Sequence, residues 1–312
     1  MTKLSIVTGC HNEEDNIPEL VKRLHAVMAN LPKYNYEIII IDNASTDNTP
    51  KVLRQIAEND KKVKVIYNTR NFGPIRSGYH AFLQAKGDVV VLMASDLQDP
   101  PELIPKFLEK WEEGYKITLA IKNSSRESLF FFLVRKMFYS FINKISENRL
   151  IKNGTGFGAY DQQVLRILRQ IDDPYPYFRG LICELGFDIA PVYFEQPARK
   201  RGFTKNNFYT LYDLAILGVI NHSKLPLRIA TFAGFILAFL SLLMSFIYLG
   251  YKLVLWDNFQ VGMAPLVSGL FFFSSVQLFF IGIVGEYVGA IHTQVQKRPL
   301  VIEKGRLNFE DE

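Results

Sequence analysis

Two long stretches without a single charged residue dominate the last third of the chain and constrain everything else it can fold into. Ile229 to Tyr251 runs between Arg228 and Lys252, and Asn258 to Gly285 runs between Asp257 and Glu286. At about 23 and 28 residues, both exceed the roughly 20 a helix needs to cross the hydrocarbon core of a bilayer. A helix buried in a soluble core rarely runs so far without one charge, so the sequence predicts two transmembrane helices. Two crossings return the chain to its starting side. Lys224 and Arg228 precede the first stretch, and Lys297, Arg298, Lys304 and Arg306 follow the second, while the connection holds Lys252 against Asp257. That asymmetry places both termini in the cytoplasm, with a snorkelling Glu286 near the inner interface. The apolar run at Met1–Thr8 is too short for a signal peptide, which agrees with a cytoplasmic start.

Composition makes sense once it is divided at this seam. Of the 25 Phe only Phe72, Phe82 and Phe107 precede residue 128, so the rest crowd the half that meets lipid. A charged fraction of 21% excludes a mainly disordered chain. Cys10 and Cys183 stand alone, which excludes a disulfide scaffold and a Cys-rich metal site. The net charge of +5 and the aromatics together do not indicate nucleic acid, because the aromatics gather towards the membrane segments.

Ahead of the apolar stretches, short β-branched runs alternate with helical patterns. Leu4–Thr8, Glu37–Ile41, Val63–Tyr67, Val89–Met93 and Ile117–Ile121 read as strands, and Ile17, Leu20, Val21, Leu24 and Met28 repeat at helical spacing. The expected class is α/β, a Rossmann-like, mainly parallel sheet with helices on both faces. Residues 1–226 form the expected cytoplasmic domain, 227–291 the two-helix membrane domain and 292–312 a cytoplasmic tail. Two Phe-rich amphipathic segments, 128–145 and 206–221, are expected to lie in the membrane interface.

Ligands of such sheets bind beyond the carboxyl ends of the strands. Three polar clusters fall there: Gly9-Cys-His-Asn-Glu-Glu14, Asp42-Asn-Ala-Ser-Thr-Asp47 and Ala94-Ser-Asp-Leu-Gln-Asp99. Carboxylates on one rim can read a nucleobase and ribose and hold Mg²⁺ against phosphates. Thr46, Asp47 and Asn48 read as helix-capping residues, as does Asp161, and Pro100-Pro101 starts a helix without help from Asp96. A later basic turn, Arg199-Lys-Arg-Gly-Phe-Thr204-Lys205, offers a planar fork and a point charge for phosphate. Gly154-Thr-Gly-Phe-Gly158 opens no long helix, so it reads as a tight turn rather than a dinucleotide fingerprint. No GxxxxGK[ST], HExxH or GxSxG is present, and the five His show no metal spacing.

Taken together, Asn12-Glu13, Asp42 … Asp47, Asn71-Phe-Gly73, Ser95-Asp96-Leu-Gln98-Asp99-Pro-Pro and Arg199 … Lys205 resemble family 2 glycosyltransferases of the GT-A fold. Within that family the chain looks like the polyisoprenyl-phosphate glycosyltransferases, relatives of dolichyl-phosphate mannose synthase, over nearly its whole length. The resemblance implies inverting transfer of a sugar from a nucleotide-sugar, a UDP-sugar, to a polyprenyl phosphate such as undecaprenyl phosphate. It implies that Asn12, Glu13, Asp42, Asn71, Ser95, Gln98 and Arg199 hold the nucleotide-sugar. Asp96 with Gln98 would hold Mg²⁺ (or Mn²⁺), Lys205 and Thr204 the lipid phosphate, and Asp96, Arg199 and Lys205 would carry catalysis. Such proteins often form homo-oligomers. Three departures stand out: Ala94 replaces the first Asp of the usual Asp-x-Asp, Asn43 the second of an Asp pair, and Asn153 an acidic residue before a glycine. A catalytically inert nucleotide-sugar or lipid-phosphate binding relative is the alternative, told apart by donor binding without product. A processive synthase fits less well, since it needs a translocation channel and Gln-x-x-Arg-Trp is absent.

Overall fold

The computed structural model describes residues 1–123, 151, 154–197, 224–254 and 263–309, so the expected interface helices 128–145 and 206–221 lie outside the described residues. By contact the chain divides into two units, Met1–Gly218 with Gln296–Glu312, and Val219–Val295.

Among the described residues the first unit holds eight strands: β1 (Thr2–Cys10), β2 (Tyr34–Asp42), β3 (Val63–Asn68), β4 (Val89–Ala94), β5 (Ile117–Lys122), β6 (Gly154–Asp161), β7 (Ile189–Phe194) and β8 (Glu303–Leu307). They form one sheet in the order β7-β5-β6-β4-β1-β2-β3-β8. β1 pairs in parallel with β2 and β4, β2 with β3, and β5 with β7; only β6 and β8 run the other way. The five strands expected from β-branched runs are all present, each longer by one to four residues. Because successive side chains point to opposite faces, each such run supplies two cores. Ile38 and Ile40 pack with Leu4 and Ile6 beneath α1 (Asn16–Ala29), α2 (Thr49–Asn59) and α4 (Ile104–Glu112). Ile39 and Ile41 pack with Val7 beneath α3 (Pro74–Gln84), α5 (Gln162–Leu168) and α6 (Phe178–Glu184).

Three strands, β6, β7 and β8, were not legible. The glycine-rich Gly154–Gly158 is no tight turn: it begins β6, inserted antiparallel between β4 and β5. A Cβ on Gly158 would lie 1.9 Å from the Thr118 carbonyl oxygen, so close strand approach rather than chain reversal requires the glycine. The charged Glu303–Leu307 forms β8, hydrogen-bonded to the β3 edge.

The second unit consists of α7 (Leu225–Val254) and α8 (Met263–Val295). Their apolar stretches have no residue covered by protein, and large side chains such as Phe232, Phe235, Phe239, Leu270 and Phe279 stand exposed. A soluble core helix would bury that surface; water does not tolerate an apolar patch of this extent. Both helices are long and apolar enough to cross a membrane.

Candidate active site

The carboxyl ends of β1, β2 and β4 lie side by side, with Cys10 registered on Asp42 and Gly9 on Ala94. The loops leaving them carry three non-glycine residues in the left-handed region, Asn12 (φ 59°), Ala44 (φ 55°) and Leu97 (φ 62°). Such backbone is held only where surrounding bonds over-determine it, and it gathers at functional sites.

Those bonds are present. The Asn12 backbone N–H donates to Ser45 Oγ at 2.9 Å, while its side-chain oxygen accepts from the Thr46 N–H at 2.8 Å. The Glu13 N–H donates to Thr49 Oγ1 at 2.9 Å, and Glu14 accepts from the Asn48 N–H at 2.9 Å. Asp47 accepts from the Thr49 N–H at 2.9 Å, the capping role expected of it. Asn48, at the N-cap of α2, makes no side-chain cap bond, and the Thr46 hydroxyl bonds the Asn12 side chain instead. The first two polar clusters are thus one interlocked structure.

Asp42 is buried and accepts from the Ser45 hydroxyl and N–H. Burial raises its carboxyl above the ordinary value, and the Ser45 bonds only partly offset it. Asn43, equally buried, is the centre of an amide network. Its Nδ2 donates to Asn71 Oδ1 at 2.8 Å, and its Oδ1 accepts from the Phe72 N–H at 2.9 Å and from Asn68 Nδ2 at 3.1 Å. Asn71 Oδ1 also accepts from the Gly73 N–H at 2.8 Å. A carboxylate could accept from Phe72 and Asn68, but only an amide can also donate to Asn71 Oδ1, which accounts for one departure from the family pattern.

At the end of β4, Ser95 donates to the Gly9 carbonyl at 3.0 Å, and Asp96 Oδ1 accepts from the Gln98 N–H at 3.2 Å. Asp99 turns inward and accepts from the Ala94 N–H at 2.9 Å. Burial pushes its carboxyl up to about 6; the Ala94 bond opposes this, the charge of Asp96 adds to it, and Lys122 and Arg179 counter it. A half-buried Asp96 beside a carboxyl reluctant to ionise fits a divalent cation held by one carboxylate and donor phosphates. Gln98 follows two residues later, its backbone N–H bonded to Asp96.

Asn12, Glu13, Asp42, Asn71, Ser95, Asp96 and Gln98 thus share one rim. Arg199, Thr204 and Lys205 lie outside the described residues, as does Asn153. Sequence reasoning missed the clamps Ser45 and Asn68, and noticed Asn43 only as a departure. Asp161 sits away from the rim: it caps α5 through the Gln163 N–H at 2.8 Å, as its position predicted. Cys10 is buried, its thiol held up by burial, and is no nucleophile.

Comparison with known proteins follows this division of the chain. Residues 5–167 match Glycosyl transferase family 2, and residues 225–291 match the GtrB C-terminal hairpin. An uncharacterized glycosyltransferase of Synechocystis is 34% identical over 96% of this chain and 94% of its own. The bactoprenol glucosyl transferase of Shigella phage SfII is 30% identical over 97% of each chain. Among solved structures, glucosyl-3-phosphoglycerate synthase from Mycobacterium tuberculosis, in complex with Mn²⁺, UDP and phosphoglyceric acid, has a TM-score of 0.50 at 20% identity. It covers 70% of this chain and 76% of that one, a likeness of fold.

Proposed function

The chain belongs to glycosyl transferase family 2, and from that premise we propose that it transfers a sugar from a UDP-sugar to undecaprenyl phosphate, with inversion, at the cytoplasmic face of a membrane. The observation that carries this reading is the near full-length match, catalytic part and hairpin alike, to bactoprenol glucosyl transferases.

The chemistry suits a rim without an obvious general base. A lipid monophosphate has a second pKa near 6, so at neutral pH it is mostly a dianion and already a nucleophile. Its oxygen attacks the anomeric carbon, the bond from that carbon to the UDP oxygen breaks, and UDP leaves with the electron pair. No proton has to move. What the protein must provide is alignment and neutralisation of the departing diphosphate. Asp42, Asn71 and the Asn12–Glu13 loop would hold the nucleoside. Asp96 and Gln98 would hold Mg²⁺, which neutralises the diphosphate when bound. Arg199 would reach the same diphosphate, and Lys205 with Thr204 the lipid phosphate. The loss of an Asp at 94 leaves one carboxylate, which Mg²⁺ accepts when substrate phosphates complete its shell.

Topology supports the two-pass reading. β3 and β8 are hydrogen-bonded in one sheet, so the segments before and after the hairpin share one aqueous compartment. If α7 crosses the bilayer, α8 must return. The basic residues flanking the pair support a cytoplasmic compartment. The test is incubation of membranes containing the protein with undecaprenyl phosphate, Mg²⁺ and a panel of radiolabelled nucleotide-sugars. Label in the lipid extract with one UDP-sugar supports the reading; label with none, although donor binds, supports the inert relative instead.

A further inference from the structure

Three arginines from distant parts of the sequence meet where the chain returns from α8 to the sheet. Arg76, on the first turn of α3, donates Nη2 to the Pro299 carbonyl at 2.6 Å. Arg298 is the residue before Pro299. Arg70 lies with its guanidinium carbon 4.0 Å from the centroid of the buried Phe72 ring, and Arg76 lies 5.8 Å from the same centroid.

No carboxylate neutralises this group among the described residues. Arg70 donates to the Asn71 carbonyl at 3.1 Å, and the groups facing Arg76 besides the other arginines are the Pro299 carbonyl, the Phe72 ring and Tyr175. The Arg76 Nε is sealed from water with no hydrogen-bond partner. Burial, then the like charges of Arg70 and Arg298, hold the Arg76 guanidinium below its usual value. Like charges gathered this way, with one donor unsatisfied, are costly unless an anion joins them.

Connectivity identifies the anion's source. Arg298 is three residues beyond Val295, the last residue of α8. Three extended residues span at most about 10 Å. Given the reading above, in which α8 crosses the bilayer, Lys297 and Arg298 are juxtamembrane residues. A guanidinium fork matches phosphate geometry, and juxtamembrane cationic clusters attract anionic lipid.

We propose that Arg70, Arg76 and Arg298 form a binding site for the phosphate of an anionic phospholipid at the cytoplasmic surface. The lipid would pin the Asn68–Gly73 loop, which carries Asn71.

The test uses the full-length protein in detergent, titrated with phosphatidylglycerol and with phosphatidylcholine and followed by native mass spectrometry. At about fivefold per arginine, wild type should prefer phosphatidylglycerol by roughly a hundredfold and R70Q/R76Q/R298Q should lose that preference. R298Q alone removes an exposed side chain, so it leaves folding intact and should lose about fivefold. Equal phosphatidylglycerol affinity in wild type and both variants overturns the proposal. So does a loss in the variants confined to UDP, or confined to undecaprenyl phosphate, which would assign the arginines to donor or acceptor. Alkaline carbonate washing separates the underlying reading: release of wild type from membranes overturns the spanning helices and this site together. Retention with unchanged phosphatidylglycerol binding overturns the site alone.

Discussion

Asn43 donates its side-chain amide to Asn71 Oδ1 across 2.8 Å, tying the end of β2 to the loop after β3. Both residues belong to the rim on which the nucleotide would sit. The same Asn71 oxygen accepts from the Gly73 N–H, so the direction of the bond is fixed.

It follows that Asn43→Asp, although it restores the residue common in the family, should be harmful here. A carboxylate would face the Asn71 oxygen, and turning Asn71 over would abandon Gly73. Loss of about 1–2 kcal/mol of stability is expected, with weaker UDP binding. Thermal melts and UDP titration check both; an unchanged melting temperature would mean the network is not needed.

Asp96→Ala removes the one carboxylate at the end of β4 that is half-exposed to the rim. Asp96 is half-exposed and bonds locally to the Gln98 N–H, so the fold should survive. Transfer in the presence of Mg²⁺ should fall by on the order of 10²–10³ or more, the range for losing one preorganised electrostatic partner. Full activity would sink the metal assignment.

Asp99 makes stability depend on pH with a stated sign. Its carboxyl titrates at about 6 in the folded protein, against about 3.9 in an unfolded chain. The folded state therefore holds a proton that the unfolded state releases, and stability falls as pH rises from about 4 through 6. Asp99→Asn, which can still accept from the Ala94 N–H, should abolish that fall, worth about 1–3 kcal/mol. Melting wild type and variant across this range in EDTA is the check; parallel curves would contradict it. Added Mg²⁺ should flatten the wild-type curve, since a bound cation favours the ionised carboxyl.

Gly158→Ala places a methyl against the Thr118 carbonyl at a distance no real contact adopts. Relief requires parting β5 from β6, so a loss of about 3 kcal/mol or more is expected. Denaturant titration of the variant measures it, and a loss below about 1 kcal/mol would show that the strands slide apart easily.

How much of this the sequence disclosed follows from where the signals were local. β1 to β5 were legible because continuous β-branched runs bury both faces, and the rim because Asn12, Asp42 and Asp96 each follow such a run. β6 was not, because its glycines answer to the Thr118 backbone across the sheet. β8 was not, because Glu-Lys-Gly-Arg-Leu has no apolar face; it is held by edge pairing, by His80 and Arg306 on Glu303, and by Asn308 capping the carbonyls of Ala57 and Val63. Asn43 looked like a defect in a motif until its three partners were in view. Nothing local to residue 43 names Asn68 or Asn71 as those partners.

The most direct measurement of the central claim is stoichiometry in the purified full-length protein. UDP release and lipid-linked sugar are followed together, with Mg²⁺, a labelled UDP-sugar, and undecaprenyl phosphate present or omitted. Transfer to the lipid phosphate predicts equal amounts of UDP and glycolipid, and neither without the acceptor. UDP released at the same rate without undecaprenyl phosphate, or donor bound with no glycolipid formed, would contradict it.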